Sequence, residues 1–183
     1  MDRLKKRLIE LVREVALYKG EFILTSGKKS NYYLDVKKLC LHPEGLYLVT
    51  NLLRSIMGDI RPFPNAVGGP VIGADPIVGA LVYSSYDLKR QLMGFLVRKG
   101  DRTHGMMHKI EGLENIPKGS GVVLLEDVLT TGASLIPVVD EVLSINLKIL
   151  GVMCVIDREE GGRLLIERRN IPFYPLLTIK DVA

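Results

Sequence analysis

The stretch Val122-Val-Leu-Leu-Glu-Asp-Val-Leu-Thr-Thr-Gly-Ala-Ser134 runs from four apolar residues through an acidic pair into a small, hydroxyl-rich loop. The apolar run reads as a buried strand, and an apolar helix follows the loop. That order sets two carboxylates, Glu126 and Asp127, at the carboxyl end of a central strand, with backbone N–H groups just beyond them. In an open α/β sheet this is where ligands bind. Gly132 and Ala133 let the backbone approach an anion closely, and the helix N-terminus adds unpaired donors and a positive dipole end. Thr130, Thr131 and Ser134 contribute hydroxyls. Carboxylates repel a phosphate, so Glu126 and Asp127 must face a sugar diol or Mg²⁺ instead. A strand, a turn and a Ser cap would explain one hydroxyl, but not three together with two adjacent acids. The chemistry described is a ribose-5-phosphate cradle.

Outward from this stretch the chain alternates strands and helices. Leu4, Leu8, Leu11, Val12, Val15 and Ala16 recur at helical spacing, predicting an amphipathic helix over 2–18. Two apolar runs, 22–24 and 32–34, flank the turn-like Thr25-Ser-Gly-Lys-Lys-Ser-Asn31 and predict a hairpin with a basic tip. Further helices are expected over 43–57, with Pro43 in the first turn, over about 76–86 and over about 163–169. Strands are expected at 66–70, 92–97, 149–156 and 173–177. Alternation of this kind implies a largely parallel sheet covered on both faces. The helix and hairpin of about 1–40 precede that core and are expected to form a small N-terminal hood over its carboxyl edge; the core sheet should span about 60–160.

The 183 residues suit a single domain, 1–183, with room for a substantial core. A hydrophobic fraction of 47% with 25% charged residues is ordinary for a soluble globular protein, and a net charge of +4 carries no block resembling a nucleic-acid-binding tail. No apolar run approaches the ~20 residues needed to span a bilayer. The basic amino terminus leads into an amphipathic helix rather than a signal core. Cys40 and Cys154 are too few and too far apart for a disulfide framework. A cytoplasmic protein that engages neither membrane nor nucleic acid is expected.

The motif Glu126-Asp127-Val-Leu-Thr-Thr-Gly-Ala-Ser134 resembles the phosphoribosyl pyrophosphate signature of type I phosphoribosyltransferases. Three further segments resemble orotate phosphoribosyltransferase: Leu24-Thr-Ser-Gly-Lys-Lys-Ser-Asn-Tyr-Tyr-Leu-Asp35, Arg98-Lys-x-x-Arg-x-His-Gly105 and Asp157-Arg-Glu-Glu-Gly-Gly162. Their order and spacing match, so the resemblance covers nearly the whole chain. It implies a type I phosphoribosyltransferase-like α/β fold with a mostly parallel central sheet flanked by helices. It implies, too, that orotate and phosphoribosyl pyrophosphate react, with Mg²⁺ held mainly through substrate oxygens, to give orotidine 5′-monophosphate and pyrophosphate in pyrimidine synthesis.

On this resemblance Glu126 and Asp127 hold the ribose hydroxyls and offset positive charge on the ring as the anomeric bond breaks. Val128, Leu129, Thr130, Thr131, Gly132, Ala133 and Ser134 clamp the phosphoribosyl group, so much of the rate comes from positioning. Arg98, Lys99, Arg102 and His104 surround the departing pyrophosphate, Arg102 and His104 as catalytic groups. The glycines at 100, 105 and 112 suit a closing lid, which the resemblance assigns to the neighbouring subunit of a homodimer. Orotate needs an Arg fork for its carboxylate and a wall for its flat ring. Arg158 and Thr130 fill the family's orotate-binding places, and Tyr33 and Leu34 those of the wall. Gly68 and Gly69 allow close approach to pyrophosphate, where the family often has a non-proline cis peptide.

The departures are also specific. Arg102 stands where the family usually has a lysine, and a planar guanidinium is not a compact ammonium. Met106-Met-His108 replaces a small, glycine- and threonine-rich lid tip. Thr25 and Gly73 sit where some branches carry lysines that touch substrate. Two other readings compete: transfer to a different base, against which Arg158 argues, and a non-catalytic sensor of phosphoribosyl pyrophosphate, against which the basic lid argues.

Overall fold

The computed structural model describes residues 1–23, 29–87, 90–98, 100 and 109–183. Its centre is a six-stranded sheet of β3 (Ala66–Pro70), β4 (Met93–Val97), β5 (Ile110–Glu111), β6 (Gly121–Leu129), β7 (Lys148–Asp157) and β8 (Phe173–Thr178). The strand order is β5-β4-β3-β6-β7-β8, parallel throughout except for the short antiparallel β5 at one edge. The order reverses between β3 and β6, the two central strands, and a crevice opens beyond their carboxyl ends.

Both faces of the sheet are covered, and the strand period of two assigns residues to each. Val123 and Leu125 of β6 and Met153 and Val155 of β7 enter one core, with α1 (Asp2–Val15), α2 (Val36–Cys40), α3 (Pro43–Met57) and α4 (Asp75–Ser85). Val122 and Leu124, with Val152 and Cys154, enter the other, against α5 (Leu135–Ser144) and α6 (Gly162–Glu167). These near-continuous apolar strands are the signature of a sheet buried on both sides. A last short helix, α7 (Ile179–Val182), follows β8 with a capping box between Thr178 and Asp181.

The hood consists of α1 and a two-stranded antiparallel ribbon, β1 (Leu17–Ile23) and β2 (Lys29–Leu34). Leu8, Leu11, Val12 and Leu34 belong to the same core as the sheet, so the hood is packed onto it. The first helix ends at Val15 rather than residue 18, because Leu17 to Lys19 pair with Tyr32 to Leu34 and take extended backbone. Residues 24–28, which include part of the expected basic tip at 25–31, lie outside the described residues, as do Leu88, Lys89, Lys99 and 101–108.

Candidate active site

Glu126 and Asp127 sit within β6, near its carboxyl end, and both are buried at 5% and 8% exposure. Alternation along the strand sends them to opposite faces. Glu126 shares the parity of Val122 and Leu124 and meets the start of α5, where Ser134 Oγ donates to its Oε2 at 2.8 Å. Ser134 occupies the N-cap position without capping the helix through its side chain, so the acid, not the cap, uses this hydroxyl. Asp127 shares the parity of Val123 and Leu125 and faces the hood side. The Val128 N–H donates to its Oδ1 at 2.8 Å, and its carboxylate lies so close to Gly73 that a Cβ there would come within 2.4 Å of Oδ1. Any side chain at 73 would therefore displace Asp127.

The loop 130–134 turns tightly onto α5. Gly132 has φ +86, a left-handed conformation natural to glycine, and its carbonyl accepts from Leu135 and Ile136 to start the helix. A second element braces the loop. The Gly162 N–H donates to Thr130 O at 2.9 Å, and a Cβ at 162 would fall 2.6 Å from that oxygen and 2.9 Å from Gly132 N. The start of α6 and the loop thus touch through bare backbone. Beside the loop a cleft of about 340 Å³ is lined by Arg98, Gly100, Lys109, Ala133 and Ser134 among others. Arg98 and Lys109 are joined there by Arg98 N–H to Lys109 O at 2.9 Å. The Arg98 guanidinium pairs with Glu111 at 3.2 Å. Lys99, Arg102 and His104, the remaining expected lid cations, lie outside the described residues.

Arg158 follows β7 directly, and its backbone N–H donates to Leu129 O at 2.9 Å, fixing it beside the end of β6. Its side chain is only 11% exposed, with Nη2 2.8 Å from Glu160 Oε1. Its Nε is buried and has no acceptor among the described residues. An orphaned buried donor costs on the order of 1–3 kcal/mol, so a ligand acceptor at Nε would recover that loss. The ring over the guanidinium is Tyr32, 5.4 Å from Cζ. Tyr33 and Leu34, the expected wall, are placed otherwise. Tyr33 is half-exposed and tilts against Phe22 and Tyr18, with ring centroids 5.7 and 6.4 Å away, while Leu34 is core. Alternation along β2, which puts Ser30, Tyr32 and Leu34 on the inner face, was the signal that distinguishes Tyr32 from Tyr33.

Two side chains that sequence reasoning passed over also border Asp127. Lys37 on α2 lies 3.4 Å from Asp35. Burial opposes its charge, but the carboxylates of Asp127 and Asp35 outweigh that and raise its pKa above the ordinary lysine value. Burial, and then the Asp127 charge, push the thiol of Cys40 up to about 12. A five-residue helix has too little periodicity to announce either. The expected non-proline cis peptide is present one residue past the Gly-Gly-Pro run, at Val71–Ile72.

This arrangement of a switch-point crevice, buried acids at the end of β6 and a glycine loop opening α5 defines a class. Residues 89–167 match the family model of the phosphoribosyl transferase domain. The fold is shared with adenine phosphoribosyltransferase of Leishmania donovani, at a TM-score of 0.70 over 96% of this chain and 81% of that one, with 17% identity. The chain thus has the fold of a phosphoribosyltransferase and carries the match to that domain. It is 39% identical to orotate phosphoribosyltransferase of Aquifex aeolicus over 97% of both chains. It matches the structure of Mycobacterium tuberculosis orotate phosphoribosyltransferase in complex with 5-phospho-alpha-D-ribosyl 1-diphosphate at a TM-score of 0.80 and 30% identity, over 98% of each chain. The chain belongs to the orotate phosphoribosyltransferase family.

Proposed function

We infer that this chain transfers the 5-phosphoribosyl group from phosphoribosyl pyrophosphate to orotate, a step of pyrimidine nucleotide synthesis. The observation that carries the choice of base is Arg158, a nearly buried guanidinium with an unpartnered Nε, roofed by Tyr32 and tied through Leu129 to the end of β6. A carboxylated flat ring suits that corner; a purine has no carboxylate for the cation to grip.

In the proposed reaction a ring nitrogen of orotate forms a bond to the anomeric carbon as the bond from that carbon to the pyrophosphate oxygen breaks. The electron pair of the broken bond leaves with pyrophosphate. Positive charge grows on the ribose ring in between, and the buried acids Glu126 and Asp127 at the crevice are suited to offset it. The backbone of 130–134 and the Thr131 hydroxyl would hold the 5′-phosphate, with Arg98, Lys99, Arg102 and His104 gathering around pyrophosphate. Tyr32 is the better candidate than Tyr33 for the wall over the pyrimidine, because it shares Arg158.

The donor set suits a divalent cation that arrives on the substrate. Among the described residues no cluster of three or more acids, histidines or cysteines could hold a metal by itself. Asp127, with one oxygen already taken by Val128 N–H, can support such an ion but not cage it. Mg²⁺ bound to pyrophosphate oxygens would neutralise the leaving group. We further propose that 1–183 acts as one domain, that two copies share their sites in a homodimer, and that the protein works in the cytoplasm. No helix among the described residues is long and apolar enough to cross a membrane, and both cysteines are free and buried.

The deciding assay follows the ultraviolet absorbance of orotate with phosphoribosyl pyrophosphate and Mg²⁺, beside adenine, hypoxanthine and uracil. Consumption of orotate alone is expected. Turnover of a purine in its place would overturn the assignment, and binding of phosphoribosyl pyrophosphate without turnover of any base would favour a sensor.

A further inference from the structure

Two adjacent glutamates follow Arg158, and they behave differently. Glu159 turns outward to Lys180, 2.9 Å away, while Glu160 turns inward and meets Arg158 Nη2 at 2.8 Å. Glu160 lies in the connection between β7 and α6 and its side chain is 36% exposed, so it has solvent to swing into without moving either element. Glu160 makes one contact to a guanidinium whose Nε, on the same edge, goes unused. A planar carboxylate fixed to a flat ring and seated under Tyr32 could take Nε and Nη2 together, a geometry stronger than a single contact.

We propose that Glu160 is a placeholder: its carboxylate occupies the Arg158 edge in the empty site, and the carboxylate of the incoming base displaces it into solvent. The inference rests on the reading of Arg158 as the orotate-binding cation. Its consequence is selectivity. A neutral base such as uracil presents no group able to expel Glu160, so the pair stays closed against it, whereas orotate exchanges one ion pair for a better one. The placeholder also keeps a buried cation partnered when no substrate is present.

The test measures orotate KM at saturating phosphoribosyl pyrophosphate, and the Kd of orotidine 5′-monophosphate by calorimetry, in wild type, Glu160→Gln, Arg158→Ala and the double variant. Removing the competing charge should tighten both constants roughly three- to tenfold, the scale of a partly buried charge pair, while KM for phosphoribosyl pyrophosphate stays put. In the Arg158→Ala background the same change should do nothing, because the competitor has lost its target. Weaker or unchanged orotate binding in Glu160→Gln would overturn the proposal; weaker binding would make Glu160 an orienting residue instead. If Arg158→Ala leaves orotate KM unmoved, the underlying reading of Arg158 fails first and is distinguished from failure of the placeholder. Should Glu160→Gln not fold, Glu160→Asp, one methylene short of the guanidinium, must shift both constants in the same direction or the idea falls.

Discussion

A single carboxylate separates structural from chemical roles at the residue scale. Asp127 accepts the Val128 N–H and packs against Gly73, which leaves no space for any larger neighbour. Asparagine matches its shape and can keep the Val128 hydrogen bond through its carbonyl oxygen. Only the charge is lost. Asp127→Asn is therefore expected to lower kcat on the order of 10²-fold, as removal of one well-placed electrostatic group does, with Tm moving by no more than about 2 °C, within the range of a near-isosteric change. Steady-state kinetics beside a thermal melt checks this; a large drop in Tm with kcat preserved would make the carboxylate a structural group. The same residue explains why the chain tolerates no lysine at 73, where some branches of the family carry one. Lys37 on α2 is a cation within electrostatic reach of the same carboxylate, its charge favoured by Asp127 and Asp35.

Elements explain what could be read from sequence and what could not. A long periodic piece was legible almost to the residue: α3 over Pro43–Met57 lies where apolar spacing and Pro43 put it. The end of β6 and the loop before α5 were legible because their pattern is local. Short elements were not, since the five residues of α2 and the two of β5 are set by packing and pairing rather than by pattern. The facing of side chains was recoverable but overlooked: the period of two would have parted Glu126 from Asp127 and preferred Tyr32 to Tyr33. Tertiary bracing was out of reach altogether, and Gly162 is the clearest case. Its hydrogen forms the contact between α6 and the 130–134 loop, so Gly162→Ala must push Thr130 O and Gly132 N aside. Backbone atoms cannot yield cheaply, and the loop is the softer partner. The expected outcome is a KM for phosphoribosyl pyrophosphate raised roughly tenfold, the factor that follows from about 1.4 kcal/mol of displaced binding geometry, with the melting transition still cooperative. An unchanged KM would mean that the loop does not depend on α6 for its shape.

For the whole molecule, the question is whether one chain completes its own site. Arg98 and Lys109, which flank the expected lid residues, are joined at the β4–β5 edge, where Arg98 N–H donates to Lys109 O. On the hood side, Tyr47 of α3 and Tyr83 and Tyr86 of α4 and its C-cap are 62%, 85% and 75% exposed, and α3 and α4 are neighbours on the same face of the sheet. Tyrosine is enriched at protein interfaces, so this is the face through which the proposed pairing of two copies would run. If each copy lends its lid cations to the other, a chain with Arg102→Ala and a chain with Asp127→Asn carry complementary defects. Random exchange of a 1:1 mixture makes about half of the dimers mixed, and each mixed dimer of an isologous pair holds one intact and one doubly defective site. Activity should then rise from near background in either parent to about one quarter of wild type. Native mass spectrometry on differently tagged chains establishes that mixed dimers are present. Mixed dimers without recovered activity would place the lid over its own chain's cradle and end the shared-site reading, while leaving the roles of Arg102 and Asp127 in catalysis untouched.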